Sequence, residues 1–244
     1  NASKASGLNS IPSHLFKLCS PILCKPISFI INESFNQGIF PDILKLAKVT
    51  PVYKSGPTEV CSNYRPISLL SNLSKVIEKT MCTRLNDFLK KYELLYDLQF
   101  GFRKNYSTNH ALINLVTNIN DILEGGEYAC GIFIDLQKAF DTVNHDILLH
   151  KLEIYGVRGI PLNWFESYLK GRKQFVALES ANSNIQVMDF GVPQGSILGP
   201  LLFLIYINDF RRSVKSGLVQ HVADDTVMLF RNTSMKKIEQ NSNS

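Results

Sequence analysis

Three short stretches carry side chains whose types and spacing suit chemistry: FIDLQKAFD at 133–141, GVPQGSILGP at 191–200 and HVADDT at 221–226. Each is weak alone. An Asp-Asp pair is commonly a plain turn, because Asp tolerates left-handed backbone and bonds its own chain. Strands ending in Asp and Gly-Pro loops are also frequent, so single matches carry little. Together they make a different case. Asp135 ends an apolar run, and Asp224 and Asp225 follow 89 and 90 residues later. An antiparallel sheet can bring such positions side by side. Carboxylate oxygens are what hard divalent cations prefer, and two cations about 3.5–4 Å apart serve phosphoryl transfer to a hydroxyl. Without a cation each carboxylate pair at ~4 Å repels by ~1 kcal/mol in water and ~4 kcal/mol at an effective dielectric of about 20.

The elements that must hold these residues are legible in the hydrophobic pattern. YACGIFID at 128–135 reads as a buried strand ending in a carboxylate. LVQHVADDTVMLF at 218–230 reads as a tight β-hairpin with both Asp residues at or beside its turn. Between them, helices are expected at about 145–155, stopping at Gly156, and from Pro161 to before Gly171. QFVALES and NIQVMDF form a second hairpin joined near 181–183, followed by a helix over about 198–210. Upstream, apolar residues from Leu73 to Leu89 fall at helical spacing. A further helix at 109–123 has Ala111, Leu112, Leu115, Ile119 and Ile122 on one face and ends at Gly125-Gly126. A short apolar helical stretch lies near 22–35, and Lys48–Lys54 reads as a strand that Pro51 confines to an edge or a bend. The segment around Trp164 reads as core packing.

Hydrophobic residues make up 45% and charged residues 19%, so global disorder is excluded. Residues 1–110 hold 14 Lys/Arg against 7 Asp/Glu, a net +7, while residues 111–244 hold 12 against 14, a net −2. A basic first half suits a polyanion and an acidic second half suits cations, although solvated faces explain such an asymmetry equally well. The five cysteines, Cys19, Cys24, Cys61, Cys82 and Cys130, show no paired spacing and are expected as buried free thiols. His145, His150 and His221 lack metal-ligand spacing and read as surface or packing residues. The longest apolar run, 197–207, is too short to span a bilayer. An intracellular protein, in cytoplasm or nucleus and without a membrane partner, is expected. The chain opens on Asn1 and ends in a polar stretch, so it reads as a fragment at both ends.

In the order found, these stretches resemble the reverse transcriptases of non-LTR (LINE-type) retrotransposons. FIDLQKAFDTVNHDILLHKL and GVPQGSILGPLLFLIYINDF resemble that family's first two palm motifs, ADDT its third, and NYRPISLLSNLSKVIEK and QFGFRKNYST its fingers motifs. The matches cover roughly residues 36–230. The resemblance implies an α+β right-hand polymerase with an antiparallel palm sheet backed by helices and the thumb absent. It divides the chain into an N-terminal connecting segment (1–35), fingers (36–126) and palm with a fingers-type insertion (127–244). It implies RNA-directed DNA synthesis with two Mg²⁺ ions, Mn²⁺ being an alternative, and RNA template, DNA primer and dNTPs as partners.

The resemblance also implies roles. Asp135 and Asp224 would bridge the metals, Asp225 would assist, and the Leu136 carbonyl would complete a shell. Lys54 and Arg65 would hold the incoming triphosphate, as basic groups suit phosphate. Gln194 and Gly195 would line the nucleotide and template contact. Phe140 would exclude a 2′-hydroxyl, or else be a plain core aromatic. Gln99, Phe100 and Arg103 would lie along the template, and Lys138 would contact backbone phosphate or simply face solvent. The family usually has an aromatic residue where this chain has Val222. Three other readings stand beside this one: an inactive nucleic-acid-binding relic of the same fold, a metal-dependent hydrolase built on the Asp cluster, and a purely structural domain with no bound metal.

Overall fold

A computed structural model describes residues 12–242; the first residues of the 1–35 segment and the last two of the polar tail lie outside the described residues. The described chain forms two compact units, each discontinuous in sequence. One runs up to Phe88 and resumes over Phe140–Leu202; the other combines Leu89–Ala139 with the chain from Phe203 onward. These interleaved units are drawn differently from the contiguous segments expected above.

In the first unit, helices α1 (Ser13–Leu18) and α2 (Ser20–Gln37) precede strand β1 (Leu46–Tyr53) and strand β2 (Tyr64–Leu69). Helix α3 (Asn72–Lys91) then carries the chain towards the second unit. After the return come α5 (His145–Ile154), α6 (Ile160–Leu169), β4 (Arg172–Val176) and β5 (Gln186–Met188). The sheet order is β2-β1-β4-β5, with β1 and β4 parallel and the other pairs antiparallel. β1 is therefore an inner strand over Leu46–Val49 but has β2 alone beside it at Pro51, where an edge or a bend is expected from the sequence. Pro51 is tolerated because β4 pairs only with Leu46–Val49; at Pro51 the sole neighbour is Pro66 of β2.

Trp164 organises this unit's core. Gly159 and Pro161 start α6, and the helix turns Trp164, Phe165, Tyr168 and Leu169 inward. Trp164 meets Phe35, Phe40 and Phe165 edge-on at 5.4–5.6 Å and stacks on Tyr168 at 5.6 Å. Its indole N–H donates to Ser34 Oγ at 2.9 Å, so the one polar group of the ring is satisfied where it is buried.

In the second unit, α4 (Thr108–Glu124) is capped by Ser107, which accepts from the His110 N–H. Strands β3 (Tyr128–Ile134), β6 (Leu218–Val222) and β7 (Asp225–Asn232) form an antiparallel sheet in the order β3-β7-β6. Helix α4 packs on β3 and β6, and α8 (Met235–Ser242) on β7. Helix α7 (Gly199–Ile207) leads into this unit and is apolar nearly all round, as a buried helix must be.

Three sequence expectations are corrected. No residue of β3 is buried, and Phe133 is 73% exposed, because β3 is an edge strand with only β7 beside it. Leu112, assigned to the inner face of α4, is exposed, while Ala111 and Ile122 are buried. Of the five thiols, all free, only Cys82 is buried; Cys19, Cys24 and Cys61 are exposed. Among the described residues no helix is long and apolar enough to cross a membrane.

Candidate active site

The carboxylates are gathered by strand register within the second unit. β6 and β7 are joined by the two-residue turn Ala223-Asp224, with Val222 opposite Asp225. Ala223 has φ 61°, left-handed at the first turn position, as two-residue hairpin loops require to match the twist of their strands. On the other side of β7, Ile134 of β3 lies opposite Thr226. The ladder ends there: Asp135 is the first residue beyond β3 and Asp225 is the residue of β7 next to the turn, so both lie at the same end of the sheet.

Asp135 and Asp225 are exposed and Asp224 is half-buried. None of the three carboxylates has a hydrogen-bond or ion-pair partner among the described residues. No three His, Cys, Asp or Glu side chains among those residues are drawn together closely enough to hold a metal ion. The donor chemistry nonetheless fits a divalent hard cation: unpaired carboxylate oxygens at one end of a sheet, and Mg²⁺ typically takes only one or two carboxylates and retains waters. Leu136 follows directly and is half-buried.

Behind the hairpin, His221 of β6 is 1% exposed and its Nδ1 lies 2.8 Å from Thr226 Oγ1. The rings of Tyr96 and Phe210 flank it edge-on. Burial pushes its pKa from 6.5 down to about 4. The folded chain thus binds this proton more weakly than the unfolded chain. The associated stability is complete above about pH 6.5 and is lost as pH falls towards 4, a loss on the order of 3 kcal/mol. His145 is also lowered, chiefly by burial, and acts in the same direction. His221→Gln is expected to flatten most of the stability–pH slope between pH 6.5 and 4 in urea unfolding. An unchanged slope would assign it to other groups.

The residues expected along the template are placed unevenly. Gln99 is 2% exposed and its side chain is turned onto the backbone of its own unit. Arg103 donates to the Tyr96 and Gln99 carbonyls and lies over the Tyr106 ring at 4.2 Å. Phe100 is buried against Tyr106. Lys138 is exposed, with φ 54°.

The residues expected to hold the nucleotide share the first unit. Lys54 follows β1 and Arg65 lies in β2; both are exposed. Arg65 pairs with Val52, and the Lys54 N–H bonds the Asn63 carbonyl, so Lys54 and Arg65 are diagonal neighbours across the ladder, roughly 7–8 Å apart. The loop 191–198 is fastened on three sides. Gln194 O accepts from the Ser68 N–H of β2 at 2.7 Å, Gln194 Nε2 donates to Asp141 Oδ1 at 2.9 Å, and the Val192 N–H donates to the Phe140 carbonyl at 2.9 Å. Gly195 has φ 118°, and a Cβ there would lie 2.6 Å from the Ser68 carbonyl oxygen. Only glycine allows this approach. Phe140, Gln194 and Gly195 are thus drawn together beside β2.

Two residues of this loop's frame were not singled out from sequence. Asp141, the second carboxylate of FIDLQKAFD, holds Gln194. Glu78 of α3 is wholly buried and accepts from the Ile197 N–H at 2.7 Å and from Ser74 Oγ at 2.9 Å. Burial raises its pKa, opposed by the Ile197 N–H and the Arg172 charge. The signal was available: Glu78 stands on the inward-turned side of α3, beside Ile77, Met81 and Leu85.

The fold can now be compared with known ones. Apo telomerase from Candida tropicalis, truncated from its C-terminal domain, superposes with a TM-score of 0.58 at 14% identity, over 84% of this chain and 48% of that one. The architecture is that of a right-hand polymerase, fingers and palm. Residues 52–242 match the family described as "Reverse transcriptase (RNA-dependent DNA polymerase)". The probable RNA-directed DNA polymerase from transposon BS of Drosophila melanogaster is 34% identical over 241 residues, 93% of this chain and 26% of that protein. The RNA-directed DNA polymerase from mobile element jockey of the same fly is 32% identical over 244 residues, 95% of this chain and 26% of that protein. The chain belongs to the reverse transcriptase family, in its non-LTR (LINE-type) branch. It spans about a quarter of the length of these curated relatives.

Proposed function

We propose that the chain is the part of a retrotransposon's RNA-directed DNA polymerase that performs nucleotidyl transfer, with an RNA template, a DNA primer and dNTPs as partners. The observation that carries this reading is the strand register that brings Asp135, just past β3, and Asp224-Asp225, at the β6–β7 turn, to one end of the same sheet, with none of the three carboxylates partnered among the described residues. Asp135 and Asp224 would hold two Mg²⁺ ions, with Asp225 and the Leu136 carbonyl assisting. When bound, such ions activate the primer 3′-hydroxyl and neutralise charge on the triphosphate as pyrophosphate leaves.

The protein's own contribution is positioning. Lys54, just past β1, and Arg65 of the adjacent β2 present exposed cations for the triphosphate oxygens. Gln194 and Gly195 offer the nucleotide a loop locked by Asp141 and Ser68. Phe140 contributes a half-buried ring whose backbone is pinned by the same loop. In this reading the ring occupies the space a 2′-hydroxyl would need. Phe140→Ala is expected to raise ribonucleotide incorporation relative to deoxyribonucleotide by roughly 10- to 100-fold, the equivalent of about 1–3 kcal/mol. Steady-state incorporation of each sugar form checks this; unchanged selectivity returns Phe140 to the core.

Primer extension on an RNA template with Mg²⁺ tests the whole reading, with template-free and Asp224→Asn reactions alongside. Template-dependent synthesis by the chain alone is expected. Its absence from a chain that is folded and binds Mn²⁺ would favour the non-catalytic relic.

A further inference from the structure

We propose that Gln99, with Gly101, is a positioning residue that fixes the Ala223-Asp224 turn and thereby the places of Asp224 and Asp225. This rests on the metal-binding reading of those carboxylates.

The segment Leu98–Gly101 runs along β6 on the side away from β7. The Phe100 N–H donates to the His221 carbonyl at 2.8 Å, and the His221 N–H donates to the Leu98 carbonyl at 2.9 Å, a parallel bridge. This brings the Gln99 side chain to the turn. Its Oε1 accepts from the Gly101 N–H at 2.8 Å and from the Ala223 N–H at 3.2 Å. Ala223 is the residue with the turn's left-handed backbone, at φ 61°. For a side chain bearing a Cβ that conformation is unfavourable, and it persists only where surrounding structure over-determines it. Gln99 supplies such a constraint by satisfying an N–H that the hairpin ladder leaves over.

Gly101 supplies the second constraint. A Cβ on Gly101 would lie 2.1 Å from the Ala223 nitrogen and 2.7 Å from its Cα, both backbone atoms that cannot swing aside. The two chains touch at the turn with no room for a methyl group. One oxygen therefore joins two N–H groups 122 residues apart, and the closest backbone approach lies at the same spot. The turn's position is set by the brace as well as by its own strands.

The test uses the 244-residue chain and two readouts, amide hydrogen exchange at Ala223 and Mn²⁺ affinity by calorimetry. Gln99→Met keeps the bulk and removes the acceptor. It is expected to speed Ala223 exchange by about tenfold or more, the scale of one hydrogen bond, and to weaken Mn²⁺ binding about tenfold. Adding Ala223→Gly, which takes the left-handed backbone without strain, is expected to recover part of the affinity. Gly101→Ala is expected to weaken Mn²⁺ binding independently. Wild-type exchange at Ala223 in the folded Gln99→Met variant overturns the proposal, as does weaker Mn²⁺ binding that only tracks lost folded protein. If wild type binds Mn²⁺ no better than Asp224→Asn, the metal reading falls; the positioning of Asp224 for metal falls with it, while Ala223 exchange still reads the brace.

Discussion

Asp224→Asn is expected to reduce template-directed synthesis by on the order of a thousand-fold or more while leaving the fold intact. A charged oxygen that holds a divalent cation supplies several kcal/mol of charge stabilisation in the reaction, and about 1.4 kcal/mol is a factor of ten in rate. The neutral amide offers a weaker ligand at the same position. The fold survives because Asp224 lies at a hairpin turn, half-buried, with no protein partner for its carboxylate among the described residues, and Asn is equally at home in turns. Removing one of three like charges relieves repulsion as well. Thermal unfolding of the variant is therefore expected at or slightly above the wild-type temperature. Asp135→Asn is expected to behave alike. A variant retaining the full rate would refute the two-metal assignment of these residues. A variant that unfolds would mean the loss cannot be read as chemistry.

Trp164→Ala is expected to produce the largest stability loss of any single truncation considered, about 3–5 kcal/mol. The side chain is fully buried and touches four other aromatic rings, contributed by α2, by the segment before β1 and by α6 itself. Truncation leaves a cavity between elements that the backbone cannot close, and it orphans Ser34 Oγ as an acceptor for the indole N–H. Against a typical domain stability of about 5–15 kcal/mol this is a large fraction. Urea unfolding of Trp164→Ala beside Trp164→Phe measures it. The Phe variant keeps a ring and loses the donor, so it should lose distinctly less. Equal losses would place the hydrogen bond, not the packing, at the centre of this core.

Much of this protein was legible along the chain. Helix α3 follows from apolar residues at helical spacing, and α6 from Pro161 at its start. The hairpin of β6 and β7 follows from two β-rich runs around an Asp pair, and Asp135 follows from an apolar run that ends in a carboxylate. These signals are local because helix and strand periods come from backbone geometry repeated over a few residues. Burial and partnership are not local. Ile132, Phe133 and Ile134 look like a buried strand, yet sheet order makes β3 an edge and leaves Phe133 exposed. Gln99 looks like a polar contact for nucleic acid, yet it is buried because its acceptor meets an N–H 124 residues away. Glu78 shares the inward-turned side of α3 with Ile77 and Met81, yet nothing near it in sequence names its partner: its carboxylate holds an N–H 119 residues away. The sequence by itself determined which elements form and which residues have chemistry to offer. Only the tertiary structure decided which carboxylates are left unpaired at one end of a sheet and which polar side chains are used up inside the fold. A buried polar group is stable only where a partner from elsewhere in the chain meets it, and no local pattern encodes that meeting.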